Sequence, residues 1–213
     1  MRPFVFLFLK TRLKINNITK QKNYRVLARK YRPNDFNELI GQDSLVKTFN
    51  NSLNKGRLAH AFLLTGIRGV GKTTTARIIA KALNCVGNEN NTEPTFEICN
   101  NCSPCKSINK GNFLDVIEVD AASRTGVDGI REIIDAVMYS PNNARFKVYI
   151  IDEVHMLSNA AFNALLKTLE EPPENVKFIF QSSSPNKLKK LLVVRLEKSS
   201  KERFFNLDKN LTV

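Results

Sequence analysis

Eight consecutive residues, Gly66-Ile67-Arg68-Gly69-Val70-Gly71-Lys72-Thr73, fit the pattern G-x-x-x-x-G-K-[ST]. Glycines at this spacing let a backbone curl until its N–H groups point inward, and a helix starting there adds partial positive charge. The ligand suited to such a cradle is a chain of phosphates. Lys72 would reach the β- and γ-phosphates, the Thr73 hydroxyl would ligate Mg²⁺, and Gly66 through Thr74 would form the binding surface. A second acidic half follows at Asp152-Glu153, directly after the apolar run Lys147-Val148-Tyr149-Ile150-Ile151. Beside a phosphate loop, Asp152 would coordinate Mg²⁺ and Glu153 would orient or polarise an attacking water. A third group is the four cysteines, Cys85, Cys99, Cys102 and Cys105, spaced C-x13-C-x2-C-x2-C. Two overlapping C-x2-C steps place sulfurs on a tight knuckle suited to a closed, structural tetrahedral Zn²⁺ site. Disulfides and an iron–sulfur cluster are the alternatives; a reducing compartment, read from the lack of an export signal, favours zinc.

These groups need elements to position them. Ala61-Phe62-Leu63-Leu64-Thr65 reads as a buried strand before the phosphate loop, and Thr74 to Leu83 as the helix after it. Asp43 is placed to cap an earlier helix with Leu45, Val46, Phe49 and Leu53 on one face, ended by Gly56. Val86–Ile98 is polar and reads as a loop. Phe113 to Asp120 alternates apolar and acidic residues, as a strand does. Val127, Ile130, Ile133, Ile134 and Val137 mark a helix; Ser158 is placed to cap another, with Phe162, Leu165, Leu166 and Leu169 on its stripe, ended by Pro172-Pro173. Lys177–Phe180 is a fourth strand. Strands alternating with helices argue for a parallel α/β sheet.

The 213 residues carry a formal net charge of +13, but unevenly. Residues 1–30 hold nine Lys/Arg and no acid, residues 185–213 hold eight against three acids, and residues 31–184 hold 16 basic against 17 acidic residues. The basicity therefore belongs to the ends. Two solvated tails are favoured over a nucleic-acid patch. No apolar run reaches 18 residues, so no membrane-spanning helix is expected. The run Phe4–Leu9 is too short for an export signal and has no small-residue cleavage site after it, which points to a cytoplasmic protein.

Taken together, Val26–Pro33, Ile40-Gly41-Gln42, His60-Ala61-Phe62, Gly66–Thr75, the four cysteines, Asp120–Val127, Asp152–Leu157 and Leu165–Pro173 resemble the gamma/tau subunit family of bacterial DNA polymerase III, the AAA+ motor of the sliding-clamp loader. The resemblance runs from about Tyr24 to about Leu188. It implies a P-loop AAA+ core at 24–188 with an inserted zinc knuckle at 85–105. It also implies ATP, Mg²⁺ and Zn²⁺ as cofactors, and as partners the other clamp-loader subunits, the sliding clamp and primer–template DNA. It places Tyr31-Arg32-Pro33 and Ile40-Gly41-Gln42 near the adenine. The family's Ala-Thr-Thr-(Asp/Glu)-Pro-Gln-Lys-Leu corresponds to Gln181–Leu188, which puts Ser183 at the polar sensor of the γ-phosphate.

The chain also departs from that pattern. After Leu188 the family's Ser-Arg-Cys, whose arginine completes a neighbouring ATP site, does not appear, and Arg195 does not replace it. The helical lid and the collar domain are missing from the pattern. We therefore expect a truncated or frameshifted form: an unmatched basic extension at 1–23, an aberrant tail at 189–213 with disorder from 198, and no assembly without the collar. Two other readings stand beside the clamp-loader motor: a non-catalytic nucleotide- and zinc-binding remnant, and a delta-prime-like subunit, whose phosphate loop is usually degenerate.

Overall fold

The computed structural model describes residues 31–87, 91–123 and 126–184, and the backbone of 204–206. The chain divides into two units, 1–32 and 33–213. Only Tyr31 and Arg32 of the first unit are described; the elements below belong to the second.

In chain order these are α1 (Asp43–Asn54), β1 (Ala61–Thr65), α2 (Lys72–Asn84), α3 (Ser103–Lys110), β2 (Val116–Asp120), α4 (Val127–Val137), β3 (Lys147–Asp152), a 3₁₀ turn (Val154–Met156), α5 (Asn159–Glu170), β4 (Val176–Ser182) and β5 (Phe204–Asn206). The strands form one sheet in the order β2-β3-β4-β1-β5, and each pairing is parallel. The helical crossovers expected from the alternating pattern are the reason a parallel sheet forms.

Strand side chains alternate between faces, and the two cores follow that alternation. Phe62, Leu64, Val148, Ile150 and Ile179 pack with Phe36, with Leu45 and Phe49 of α1, and with Ala76, Ile79 and Leu83 of α2. Ala61, Tyr149, Ile151, Phe178 and Phe180 face the other way, against Ile130, Ile133 and Val137 of α4 and Phe162, Leu165, Leu166 and Leu169 of α5. Phe49 and Phe178 are both 0% exposed, and each such burial contributes about 1.5–3 kcal/mol. None of the described helices is long and apolar enough to cross a membrane.

Some local expectations change. Asp43 is the first residue of α1 and not its cap; Gln42 occupies the cap and makes no side-chain capping bond. Its side chain is engaged elsewhere, and the Asp43 carboxylate instead faces the positive end of the helix dipole. Gly56 ends α1 as expected: at φ 64° its N–H bonds Leu53 O while Arg57 N–H bonds Ser52 O, the paired closure that a left-handed residue allows. The second strand starts at Val116 and not Phe113, because the chain turns there, Val116 N–H bonding Phe113 O at 3.1 Å, with Asp115 buried in the turn. Its buried carboxylate accepts N–H bonds from Asn142, Asn143 and Ala144 at 2.8–2.9 Å. Ser158 does cap α5, accepting from Ala161 N–H at 3.2 Å. The backbone of residues 204–206 pairs with β1, supplying partners to N–H and C=O groups that an edge strand would leave unpaired. The expectations for 1–23, for Arg195 and for the rest of 189–213 fall outside the described residues.

Candidate nucleotide site and cysteine cluster

The carboxyl ends of β1, β4 and β3 lie side by side, where parallel sheets of this kind take ligands. The phosphate loop leaves β1 and is tied to β4 by Gly66 N–H to Ser182 O at 3.2 Å. Gly66, Gly69 and Gly71 take φ values of 147°, 89° and 96°, which side chains rarely tolerate. At Gly66 a Cβ would also lie 3.1 Å from Val70 Cγ1. Ile67, Arg68, Gly69 and Val70 are exposed, whereas Lys72 is 9% exposed. The Lys72 ammonium donates to Gly66 O at 2.8 Å and Ile67 O at 3.1 Å, so the loop folds over its own lysine. Thr73 and Thr74 lie in the first turn of α2, which begins at Lys72 and not at Thr74.

Asp152 ends β3 opposite Asp120 in register. Burial pushes its carboxyl above the usual range; the neighbouring Glu153 and Asp120 charges act the same way, against the Glu153 N–H bond and the Lys72 charge. Glu153 sits at φ 47°, a left-handed conformation for a residue with a side chain. Its Oε2 accepts Ser183 N–H at 3.0 Å and Ser183 Oγ–H at 2.8 Å, with His155 Nδ1 at 3.3 Å. Burial pushes this carboxyl up, but the Ser183 bonds and the His155 and Lys72 charges outweigh it, and the net result is a lowered pKa. Glu153 is therefore kept as a carboxylate while Asp152 is less readily ionised. Lys72, Asp152, Glu153 and Ser183 thus share one electrostatic neighbourhood.

Two residues have roles that the sequence pattern did not reveal. Gln42 bridges the loop and the helix: its Nε2 donates to Val70 O at 3.1 Å and its Oε1 accepts from Thr75 Oγ at 3.0 Å. Gln181, fully buried on β4, accepts the Thr73 hydroxyl at 3.1 Å. The motif match at Ile40-Gly41-Gln42 and the polar residue ending an apolar strand were the available signals.

At the far end of α2 the four cysteine sulfurs all lie within 4.8 Å of one another. Tetrahedral Zn–S bonds of about 2.3 Å put sulfurs about 3.8 Å apart, so the donor set and its spacing fit such an ion. Cys99 N–H points to Cys85 Sγ at 3.5 Å and Cys102 N–H to Cys99 Sγ at 3.3 Å; Asn100 supplies the left-handed step between them at φ 56°. Burial pushes the Cys85 and Cys105 thiols up. At Cys99 burial is outweighed by the N–H groups of Cys102 and Asn101, which bring the thiol down to about 7. α3, absent from the sequence expectation, carries Cys105 and closes at Gly111, φ 74°. Among the described residues, Val86–Ile98 contains no helix or strand, as expected.

A glycine loop between strand and helix, with an acidic pair ending a nearby parallel strand of the same sheet, is the architecture of the P-loop AAA+ fold. Two solved structures of Thermotoga maritima RuvB variants share this fold, with TM-scores of 0.52 and 0.51 at 20% and 21% identity, covering 78% of this chain and 47% and 46% of theirs. The sequence matches the family described as "DNA polymerase III, delta subunit" over residues 41–199. It is 50% identical over 196 residues to DNA polymerase III subunit gamma of Buchnera aphidicola subsp. Acyrthosiphon pisum, covering 90% of this chain and 53% of that one. It is 52% identical over 166 residues to DNA polymerase III subunit tau of Escherichia coli, covering 78% and 25%. The chain belongs to this family of DNA polymerase III subunits, among relatives named gamma and tau. It spans about half the length of the Buchnera relative, and less of the longer tau protein.

Proposed function

We propose that the chain is the ATP-binding and ATP-hydrolysing motor of the DNA polymerase III clamp loader, a cytoplasmic replication protein acting with the other loader subunits, the sliding clamp and primed DNA. The observation that carries this reading is the convergence of Lys72, Thr73, Asp152, Glu153 and Ser183 at the carboxyl ends of three adjacent strands. The loop N–H groups and Lys72 bind the phosphates, with Lys72 exchanging the Gly66 and Ile67 carbonyls for phosphate oxygens. Thr73 and Asp152 would hold Mg²⁺, which when bound neutralises developing charge on the phosphates. Glu153, kept ionised by Ser183, is in the form that accepts a proton from water, and the Ser183 hydroxyl would report on the γ-phosphate through the same carboxylate. Cys85, Cys99, Cys102 and Cys105 would hold Zn²⁺ structurally, since four thiolates leave no open position. The intact loop Gly66–Thr73 favours a gamma/tau-like motor over a delta-prime-like subunit, and the intact acidic pair favours it over a non-catalytic remnant.

Lys72→Ala is the test. Two charge-assisted phosphate contacts are worth about 100-fold in affinity or more, so fluorescent nucleotide should bind at least that much more weakly while circular dichroism stays native. Unchanged affinity would place the nucleotide elsewhere.

A further inference from the structure

Gln181 stands where the resembling pattern carries alanine, yet it is 0% exposed. Successive side chains of β4 alternate faces, and Ile179 lies in the α2-side core, so Gln181 points to the same side, at the first turn of α2. Its Oε1 accepts the Thr73 hydroxyl proton at 3.1 Å. Its Nε2 is buried with no hydrogen-bond partner among the described residues. A buried polar group left unpaired is costly, and one beside the proposed phosphate loop points to a partner that arrives with the ligand.

We infer that Gln181 is a positioning residue for the metal half of the nucleotide site: it takes the Thr73 proton so that the hydroxyl oxygen presents a lone pair to a divalent cation, and its free amide N–H is a donor for an oxygen bound to that cation. This rests on the P-loop reading above. The chemical argument is one of direction. A hydroxyl has one proton and two lone pairs. If it ligates a cation, the proton must point away from the ion, and here the acceptor that takes it is the Gln181 amide oxygen. Alanine at this position offers no such acceptor, so a Thr73 beside alanine must find another partner or lose orientation. The amide N–H is already desolvated, and oxygen ligands of the cation, polarised by its charge, are strong acceptors for it.

The experiment measures affinity of the full chain for N-methylanthraniloyl-ADP in excess Mg²⁺ and in EDTA; the ratio is the metal-dependent gain. Gln181→Ala, and the near-isosteric Gln181→Met in case the smaller side chain leaves a cavity, should lower that gain about 10-fold and leave the EDTA affinity within about twofold. Thr73→Ala should lose a similar gain, and the Thr73→Ala/Gln181→Ala pair no more than either alone, because both act through one hydroxyl. Mn²⁺ titration followed by electron paramagnetic resonance should show the same weakening without any turnover. A merely structural Gln181 would lower the urea midpoint and leave the gain untouched, which would overturn the inference. So would additive losses in the pair. Failure of the unaltered chain to bind nucleotide in EDTA and in Mg²⁺ alike would overturn the P-loop reading and this inference together, whereas binding with an unchanged gain in both Gln181 variants overturns the inference alone.

Discussion

Gln42→Ala should destabilise the protein through one buried hydroxyl. Gln42 makes two side-chain bonds, to Val70 O at 3.1 Å and from Thr75 Oγ at 3.0 Å. They are not equal in consequence. Val70 is 46% exposed, so its carbonyl can rehydrate, and losing that bond costs about 0.5 kcal/mol. Thr75 is 1% exposed; its hydroxyl would be left without the glutamine acceptor, at a cost of about 1–3 kcal/mol. The Thr75 side should therefore dominate a total of about 2 kcal/mol, equivalent to a fall in Tm of about 4–8 °C for a chain of this size. Thr75→Val removes the hydroxyl at similar volume. In that background Gln42→Ala should cost only about 0.5 kcal/mol, giving a coupling of about 1.5 kcal/mol. Urea unfolding followed by far-ultraviolet circular dichroism on the four proteins of the cycle measures this. Equal costs of Gln42→Ala in the two backgrounds would refute the reasoning and assign the loss to the loop contact.

Purified protein should contain about one zinc per chain, and Cys99→Ser should lose it; metal analysis finding none, with all four thiols titratable, would remove the metal site. Asp152→Asn should raise the urea midpoint near neutral pH. A carboxyl whose folded pKa is raised stabilises below its unfolded pKa and loses that contribution as pH rises through the folded value, so a neutral amide avoids the loss; a lower midpoint at pH 7 would contradict this. Glu153 has the opposite sign: its lowered pKa gives stability present above the unfolded value and lost as pH falls toward the folded one, so Glu153→Gln should flatten the acid limb of a pH–stability profile, and an unchanged limb would count against it. Asp115→Ala should cost about 2–3 kcal/mol by urea unfolding, since three N–H donors lose a charged acceptor but Asn142 and Asn143 are exposed enough to recover water.

What could be read from sequence was what local chemistry enforces. The glycines at 66, 69 and 71 predict left-handed backbone because side chains exclude themselves from it, and the loop obeys. Ser158 caps α5 because an N-cap bond spans three residues. The apolar runs became β1, β3 and β4 because they are too short for a buried helix and fit strands covered on both faces. The misreadings came where local pattern and tertiary partners compete. Phe113–Asp115 alternates like a strand, but the chain turns there, Val116 N–H bonding Phe113 O at 3.1 Å, and three amide donors on a distant loop hold the Asp115 carboxylate inward. Asp43 is a good cap by type, but Gln42 holds that place while reaching across to Val70 and Thr75. The Thr73–Gln181 contact, 108 residues apart in sequence, leaves no local pattern at all, and neither does Ser183 on Glu153.

The position of the cysteine cluster has a physical reason in α2 itself. The helix is buried for nearly its whole length, including Lys81 and Asn84, and spans about 20 Å from phosphate loop to Cys85. A helix ending in the interior must find partners for its last carbonyls, and those of Lys81, Ala82 and Leu83 have them. Cys85 N–H takes Lys81 O at 2.7 Å and Thr95 N–H takes Ala82 O at 3.0 Å. Arg145 donates to Leu83 O at 2.6 Å and to Cys85 O at 3.4 Å. Asn84 exchanges side-chain bonds with the Phe146 backbone at 2.9 and 3.0 Å. The Lys81 ammonium, its pKa lowered by burial, reaches Asn34 O and, at 3.1 Å, Asn100 Oδ1 within the knuckle. Phe96 of the inserted loop stacks on Phe36 at 4.7 Å. Thr95 and Asn100 of the cysteine segment, together with Arg145 and Phe146, thus hold the carboxyl end of α2, as Gln42 and Gln181 hold Thr75 and Thr73 at its amino end.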